Sequence, residues 1–134
     1  MKSKLDPRHQ LRITMFKSLF EANFKNNIST QKNSQAAKVL DYQKEIDSQI
    51  KKYASTWPID QITPVNLAIL RMAIWELLYQ KKEPYKVICD EAVEIAKEYG
   101  AASSASFING VLGAIISSQN INVPIEKQQK RGVN

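Results

Sequence analysis

The stretch Thr63-Pro-Val-Asn-Leu-Ala-Ile-Leu-Arg-Met-Ala-Ile-Trp-Glu-Leu-Leu78 decides the fold of this 134-residue chain. Thr63 and Pro64 predict a helix start, because a threonine hydroxyl can cap free backbone N–H groups and proline fits the first helical position. The residues from 64 to 80 are apolar nearly all round, and the exceptions are Asn66, Arg71 and Glu76. A helix of this kind is typically buried at the centre of a protein.

Amphipathic helices are predicted on both sides of this central segment. Asp6 and Pro7 start a first helix over about 8–24, and a second helix runs from about 35 to 55, between a polar loop at 25–34 and a break at 57–60. Their inward positions recur three and four residues apart. These positions are Leu11, Met15, Phe16, Leu19, Phe20 and Phe24 in the first helix, and Val39, Tyr42, Ile46, Ile50 and Tyr53 in the second.

Two more helices follow the central one. The first covers 85–99 and stops at Gly100, since glycine is a frequent helix terminator, and the last covers about 104–117. Their inward positions are Ile88, Ala92, Ile95, Ala96 and Tyr99, and then Phe107, Val111, Leu112 and Ile115. The sequence therefore predicts an all-α bundle of five main helices in a single domain, with loosely ordered tails at about 1–7 and 118–134.

The positive charge of the chain is concentrated at its ends. The net charge is +6, of which residues 1–25 carry +4 and residues 120–134 carry +2, whereas residues 26–119 sum to zero. This distribution is typical of a basic patch that contacts phosphates, and also of a solubilising tail. Charge alone leaves both interpretations open.

Few residues are suited to catalysis or to binding a metal. Cys89 and His9 are the only residues of their types, so an internal disulfide and a histidine-based metal cluster are excluded. Cys89 lies beside an inward stripe and is predicted to be a small buried residue. Asp90, Glu94 and Glu98 are predicted to form a solvated helix face. We therefore expect neither enzymatic activity nor a cofactor.

The chain is also expected to act away from membranes. It contains no stretch of about 18 uncharged apolar residues and no N-terminal apolar run of signal-peptide length. We expect a cytoplasmic protein.

A series of short motifs points to one family. They are Ala68-Ile-Leu-Arg71, Trp75-Glu-Leu77, Pro84-Tyr-Lys-Val87, Glu91-Ala92, Ala96-Lys97 and Phe107-x-Asn-Gly-Val-Leu112. In the order and spacing of these motifs, over about fifty residues, the chain resembles the NusB family of bacterial transcription antitermination factors. The first helix adds Arg8-x-x-x-Arg12, and Leu19-Phe20 where the family has Leu-Tyr.

The resemblance implies a fold and a function. The fold is a NusB-like bundle of two small packed helical subdomains, with the first half shortened by about fifteen residues between Phe20 and Thr63. The function is non-catalytic RNA binding in transcription antitermination. The implied partners are a single-stranded boxA-like element of nascent ribosomal RNA, a NusE-type small-subunit ribosomal protein and the transcription elongation complex.

The resemblance also implies site residues, although the family's run of arginines is thinned here to Arg8 and Arg12. The RNA-binding residues implied by the resemblance are Arg8, His9, Gln10, Arg12, Ser103, Ser106 and Phe107. The basic arm of Lys2 and Lys4 is predicted to add phosphate contacts. The implied partner-binding residues are Asn66 and Arg71, and an ion pair inside the bundle is an equally good interpretation of Arg71. The alternative function is a helical protein–protein interaction module that has lost specific RNA binding.

Two stability predictions accompany these roles. Replacing Arg8 and Arg12 by alanine is expected to weaken RNA binding and to leave thermal stability nearly unchanged. Asn109-Gly110 is interpreted as a packing site, so Gly110→Leu is expected to destabilise the fold by overpacking.

Overall fold

The computed structural model describes residues 6–24, 34–54 and 58–121, and this part of the chain is helical without any strand. It contains six α-helices, which are α1 (Pro7–Ala22), α2 (Gln35–Asp41), α3 (Gln43–Tyr53), α4 (Pro64–Trp75), α5 (Tyr85–Tyr99) and α6 (Ser104–Gln119). A 3-10 turn at Ile59–Gln61 precedes α4, and a π-helical turn at Glu76–Gln80 continues it. The all-α prediction is confirmed, with six helices instead of five. Most of the predicted loop at 25–34 lies outside the described residues.

Side-chain caps begin three of the helices. The Asp6 carboxylate accepts a hydrogen bond from the Arg8 backbone N–H at 2.8 Å, and the Thr63 hydroxyl accepts one from the Asn66 N–H at 3.3 Å. Pro7 and Pro64 follow these caps at the first helical position. Both predicted helix starts are therefore confirmed. Ser34 caps α2 in the same way, through its contact with the Ala37 N–H at 3.1 Å.

Helix α4 lies at the centre of the bundle, as predicted. It packs against all five other α-helices, and each of its residues from Ala68 to Trp75 is buried. The N-terminal helices α1–α3 and the C-terminal helices α4–α6 share one hydrophobic core. No helix in the described part of the chain is long and apolar enough to cross a membrane.

The predicted second helix is broken at Tyr42. This residue leaves helical geometry (φ −105°, ψ 13°) between α2 and α3, and its exposed ring stacks on Tyr79 with the centroids 4.1 Å apart. The prediction of an inward Tyr42 is therefore wrong. Val39, Ile46 and Ile50 of the same predicted stripe are fully buried, which confirms that part.

The predicted inward face of α1 is partly wrong. The side chains of Leu11 and Phe24 are 65% and 64% exposed. Leu11 is five residues from the buried Phe16, which places it about 140° away around the helix. Phe24 lies beyond the end of α1, and its ring packs edge-on against that of Phe20, with the ring centroids 5.1 Å apart. Tyr99, predicted inward on α5, is likewise at the surface.

The two glycine predictions have opposite outcomes. Gly100 ends α5, as expected, and its φ of −97° requires no glycine. Glycine is required at this position for steric reasons, because a Cβ atom there would lie 2.5 Å from Ser104 Oγ and 2.7 Å from the Ala96 carbonyl oxygen. Gly110 and Asn109 are exposed, and nothing lies within 4 Å of a Cβ atom built at Gly110. The prediction of close packing at Asn109-Gly110 is wrong, because α6 turns its opposite face to the core.

The last helix is slightly longer than predicted. It continues to Gln119, two residues beyond the expected end at 117, so residues 118 and 119 are helical and not part of a tail.

Candidate functional site

Arg12 is buried in an ion pair and is not on the exposed side of α1. It is 6% exposed, and its guanidinium donates to both carboxylate oxygens of Glu76, from Nη2 to Oε1 at 2.7 Å and from Nε to Oε2 at 3.0 Å. Its Nη1 lies 3.4 Å from Oε1 of Glu91. This burial does not fit the direct RNA contact that the resemblance implies for Arg12, and it arises because the residue lies one turn from Phe16 on the buried face.

His9 joins the same cluster. Its ring is buried, and Nδ1 lies 3.1 Å from Oε1 of Glu91, the oxygen that Arg12 also approaches. The burial of His9 likewise does not fit the direct RNA contact that the resemblance implies for it. His9, Arg12, Glu76 and Glu91 form what we call the buried polar cluster, which joins α1 to the end of α4 and to α5.

The charge of Arg12 is well compensated within this cluster. Burial acts to lower the pKa of Arg12, but hydrogen bonding to Glu76 and the charges of Glu76 and Glu91 outweigh burial and raise the pKa above its usual value. The guanidinium is therefore charged at any physiological pH, and it is held between two carboxylates. In this arrangement Arg12 fixes the position of α1.

Sequence reasoning missed the two carboxylates of the cluster. A signal for Glu91 was present, since this residue lies three positions after Ile88 and four before Ile95, on the inward stripe of α5. An acid at such a position is rarely buried without a cation. Glu76 stands in an apolar run, which is a similar signal.

The first turn of α1 presents two of the predicted RNA-binding residues to solvent. The side chain of Arg8 is 67% exposed, and it lies 3.6 Å from both Asp6 and Glu83. Gln10 is exposed beside it in the sequence. Lys2 and Lys4 lie outside the described residues, so their roles stay predictions.

A cavity brings together residues from both predicted sets. It has a volume of about 290 Å³ and lies between the starts of α4 and α6. We call it the α4–α6 cavity, and its lining residues are Gln61, Ile62, Thr63, Asn66, Ser103, Ser106 and Phe107. Asn66, predicted to face a protein partner, thus lies beside Ser103, Ser106 and Phe107, which are predicted to contact RNA. None of the lining residues is charged.

Asn66 has an unusual feature in this cavity. Its Oδ1 atom is shielded from solvent and accepts no hydrogen bond from the described residues. Buried acceptors of this kind are rare in folded proteins, and each one calls for an explanation.

A second depression, the acidic groove, lies between α5 and α6. Its volume is about 660 Å³, and it is lined by His9, Asp90, Glu91, Val93, Glu94, Lys97, Glu98, Ala105, Ser106 and Asn109. Four carboxylates therefore face a single lysine and His9. Asp90, Glu94 and Glu98 are exposed, which confirms the predicted solvated face. Ser106 lines both the groove and the α4–α6 cavity, and His9 of α1 also lines the groove, so the two depressions are adjacent and the carboxylate-rich surface reaches the first turn of α1. Such a surface repels phosphates.

Arg71 forms an ion pair inside the bundle, which is the second of the two roles that the sequence left open for it. Its Nε and Nη2 donate to Oδ1 and Oδ2 of Asp47, both at 2.9 Å, and Nη1 donates to Oδ1 of Asn23 at 2.9 Å. The side chain thereby ties α4 to α3 and to the end of α1.

Cys89 is expected to react slowly with thiol reagents. Burial, helped by the charge of Asp90, raises the pKa of its thiol from 9.0 to about 11, so the reactive thiolate is about a hundredfold scarcer at pH 8. The rate of reaction with Ellman's reagent in the folded protein, compared with the rate in urea, measures this effect. Equal rates in the two states would contradict it.

The described residues contain no group of three or more His, Cys, Asp or Glu side chains placed to hold a metal ion.

Comparison with known sequences gives matches to the NusB family. A model of the NusB family matches residues 17–117. The transcription antitermination protein NusB of Alkaliphilus oremlandii is 37% identical over 102 residues, which cover 73% of this chain and 74% of that protein. The protein of the same name from Acetivibrio thermocellus is 45% identical over 78 residues, which cover 58% of this chain and 54% of that protein. The chain thus spans about half the length of the second relative.

Comparison with solved structures gives matches over a greater length. A structure of T. maritima NusB has a TM-score of 0.73 and 31% sequence identity, and the likeness covers 96% of this chain and 99% of that one. A chain from a crystal structure of antitermination factors NusB and NusE in complex with dsRNA has a TM-score of 0.69 and 25% identity. This second likeness covers 83% of this chain and 96% of that one.

Proposed function

Because the chain belongs to the NusB family, as its motifs predicted, we propose that it is a non-catalytic, RNA-binding transcription antitermination factor. Its ligand in this proposal is a single-stranded, boxA-like element of nascent ribosomal RNA. It binds that element together with a NusE-type ribosomal protein and acts in the elongation complex, in the cytoplasm. The observation that carries the proposal is the likeness to a chain of the NusB–NusE–dsRNA complex, which extends over 96% of that chain.

The proposed RNA contacts fall into two groups. Arg8 and Gln10 at the start of α1 supply one, with Lys2 and Lys4 preceding them in the sequence. Their role is to contact phosphates, since arginine and lysine neutralise backbone charge without reading the base. The α4–α6 cavity supplies the second group, through Ser103, Ser106 and Phe107. Hydroxyl and aromatic groups suit the sugar and the base of an unpaired nucleotide.

His9 and Arg12 have an indirect role in this proposal. Nδ1 of His9 and the guanidinium of Arg12 both contact Glu91, and Arg12 also contacts Glu76, so these groups are held by carboxylates. They hold the first turn of α1 against α4 and α5, and they thereby set the direction in which Arg8 points.

Two observations favour the alternative, a protein–protein interaction module. The burial of His9 and Arg12 removes two side chains from the predicted RNA surface, and the acidic groove beside them repels phosphates. The same carboxylates attract a basic protein surface. The two functions therefore differ in the partner that is expected to bind next to the acidic groove.

Fluorescence anisotropy with a boxA-like RNA and a scrambled RNA separates the two functions. We expect selective binding of the boxA-like RNA that tightens when a NusE-type partner is added. Equal, salt-sensitive binding to both RNAs would indicate a generic basic surface. Binding to the protein partner without measurable RNA binding would establish the alternative.

The salt dependence of RNA binding tests the role of Arg8. If Arg8 neutralises one phosphate, the negative slope of log K against log salt concentration becomes less steep by about 0.7 in Arg8→Ala, because one fewer counterion is released. Lys51→Ala is the matched control, since Lys51 is an exposed cation on α3 and lines neither depression. An unchanged slope for Arg8→Ala, or an equal change for Lys51→Ala, would contradict the assignment.

A further inference from the structure

Two stacked tyrosines, Tyr42 and Tyr79, form a surface that the proposed function does not use. We infer, resting on that function, that this pair binds the RNA strand where it continues beyond the phosphate contact at Arg8. We call the pair the tyrosine platform. It joins the break between α2 and α3 to the π-helical turn after α4, and it lines neither the α4–α6 cavity nor the acidic groove. Its ligand is an unpaired stretch of nucleotides next to the boxA-like element.

The geometry of the two rings suits stacking by a base. Their centroids are 4.1 Å apart and their planes differ by 20°, so the rings lie face to face. Tyr42 is 40% exposed, whereas Tyr79 is half-buried and packs against the hydrophobic core. Tyr79 thereby holds the ring of Tyr42, which loses little conformational freedom when a base stacks on it. Every base has an aromatic face, so this stacking tolerates any sequence.

Exposed lysines accompany the platform. Four of them lie within four residues of one of the two rings, and they are Lys38, Lys44, Lys81 and Lys82. Aromatic rings on a positively charged surface are the pattern by which proteins bind single-stranded nucleic acid without reading its sequence. The surface therefore offers stacking for a base and charge for the phosphates on either side of it.

The acidic residues near the platform do not cancel this charge. Glu76 belongs to the buried polar cluster, and Glu83 lies 3.6 Å from Arg8, so both face a cation outside the platform. Asp41 and Glu45 are the other acids within four residues of a ring. Four lysines against these two acids leave an excess of two positive charges, which the zero net charge of residues 26–119 does not reveal.

Lys81 has a backbone conformation that does not suit lysine. It ends the π-helical turn at φ 54° and ψ 36°, where its N–H donates to the Glu76 carbonyl oxygen at 2.9 Å. Glycine and asparagine adopt this left-handed conformation readily, and lysine adopts it at a cost. Strained residues and π-helical turns are both concentrated at functional sites. A lysine at this position is explained if its charge is used in binding.

Two contacts of α1 indicate the path of the strand. His9 in the first turn of α1 lines the acidic groove, which repels phosphates. Arg8 in the same turn lies beside Glu83, which directly follows Lys82 in the chain. A strand bound at Arg8 therefore meets repulsion if it continues along the groove, and attraction if it continues along residues 81–82 to the tyrosine platform.

RNAs of two lengths test the inference. The short RNA is the boxA-like element alone, and each long RNA carries about eight further nucleotides at one of its ends, a length within the range of single-strand binding sites. We expect the extension at one end only to tighten binding by the wild-type protein, by about 5- to 150-fold, the range for one base stacked on an aromatic ring. The same extension built from abasic nucleotides keeps its phosphates and should lose most of this gain.

Variants of the platform separate stacking from charge. Tyr42→Leu should lose the gain from the extension and bind the short RNA like the wild type, whereas Tyr42→Phe should keep the gain because it keeps the ring. Lys81→Asn combined with Lys82→Gln removes two charges, and asparagine suits the left-handed conformation. For this double variant the negative salt slope should become less steep by about 1.4 with the long RNA and stay unchanged with the short one.

Tyr53→Leu is the matched control. Tyr53 is a half-buried tyrosine at the other end of α3, and Lys52 Nζ lies 5.4 Å from the centroid of its ring, so its chemistry is similar. About 16 Å of helix separates it from Tyr42. This variant should keep the full gain from the extension. Far-UV circular dichroism verifies the fold of each variant.

The outcomes distinguish the inference from the proposed function. No gain from either extension, or an equal gain from both, would overturn the inference and leave the proposed function intact. An unchanged gain in Tyr42→Leu would remove the platform from RNA binding, and weaker binding of this variant to the NusE-type partner would then assign the surface to that protein. No binding of the short RNA by the wild-type protein, alone or with the partner, would overturn the proposed function itself.

Discussion

Replacing Arg12 by methionine is expected to lower the free energy of unfolding by about 3–5 kcal/mol. Methionine keeps most of the side-chain volume but leaves the carboxylates of Glu76 and Glu91 buried without the guanidinium that lies between them. Urea denaturation followed by circular dichroism measures the change. This result reverses the sequence-based expectation that Arg8 and Arg12 can both be removed at little cost.

Arg8→Met is the matched control for this prediction. Arg8 is an arginine on the same helix, one turn earlier, with a side chain that is 67% exposed, so its loss should change stability by less than about 0.5 kcal/mol. Adding Glu76→Gln to Arg12→Met should recover part of the loss, since one of the two uncompensated charges disappears. Equal, small effects of Arg8→Met and Arg12→Met would show that the buried polar cluster does not anchor α1.

Gly100→Ala is expected to destabilise the protein by about 1–3 kcal/mol. The new methyl group would lie 2.5 Å from Ser104 Oγ and 2.7 Å from the Ala96 carbonyl oxygen. The serine cannot simply rotate away without cost, because its Oγ accepts a hydrogen bond from the Ala101 N–H at 2.9 Å. The turn between α5 and α6 must therefore shift. Differential scanning calorimetry would show the effect as a lower Tm.

Gly110→Ala is the matched control and is expected to act in the opposite direction. Gly110 is exposed inside α6 with nothing within 4 Å of its Cβ position, so alanine should add about 0.5–1 kcal/mol through its higher helix propensity. A stabilised Gly100→Ala would contradict the steric argument, and a destabilised Gly110→Ala would restore the packing role predicted from sequence.

The helices were predictable because their signals are local. Caps at Asp6 and Thr63, the stop at Gly100 and the spacing of apolar residues all lie within the segments that they define. The break at Tyr42 has no such signal, since neither glycine nor proline is nearby in the sequence. The stacking of Tyr42 on Tyr79 involves a residue far along the chain, and periodicity within one helix does not report it.

The site was less predictable because its contacts join residues that are far apart in the sequence. Arg12 was assigned to RNA binding from the family motif, yet its acceptors lie 64 and 79 residues further along the chain. No local pattern pairs these residues. Asn66 and Phe107 were likewise assigned to different partners, and only the packing of α4 against α6 places them in one cavity.

The length of the central helix fixes the distance between two parts of the candidate site. Asn66, near the start of α4, lines the α4–α6 cavity. Glu76, directly after the end of α4, forms an ion pair with Arg12 of α1. From residue 66 to residue 76 a helix rises by about 15 Å. Because residues 68–75 of this helix are buried and α4 contacts every other α-helix, the spacing between its two ends is fixed. Helix α4 therefore holds the α4–α6 cavity at a fixed distance from the point at which α1 is anchored.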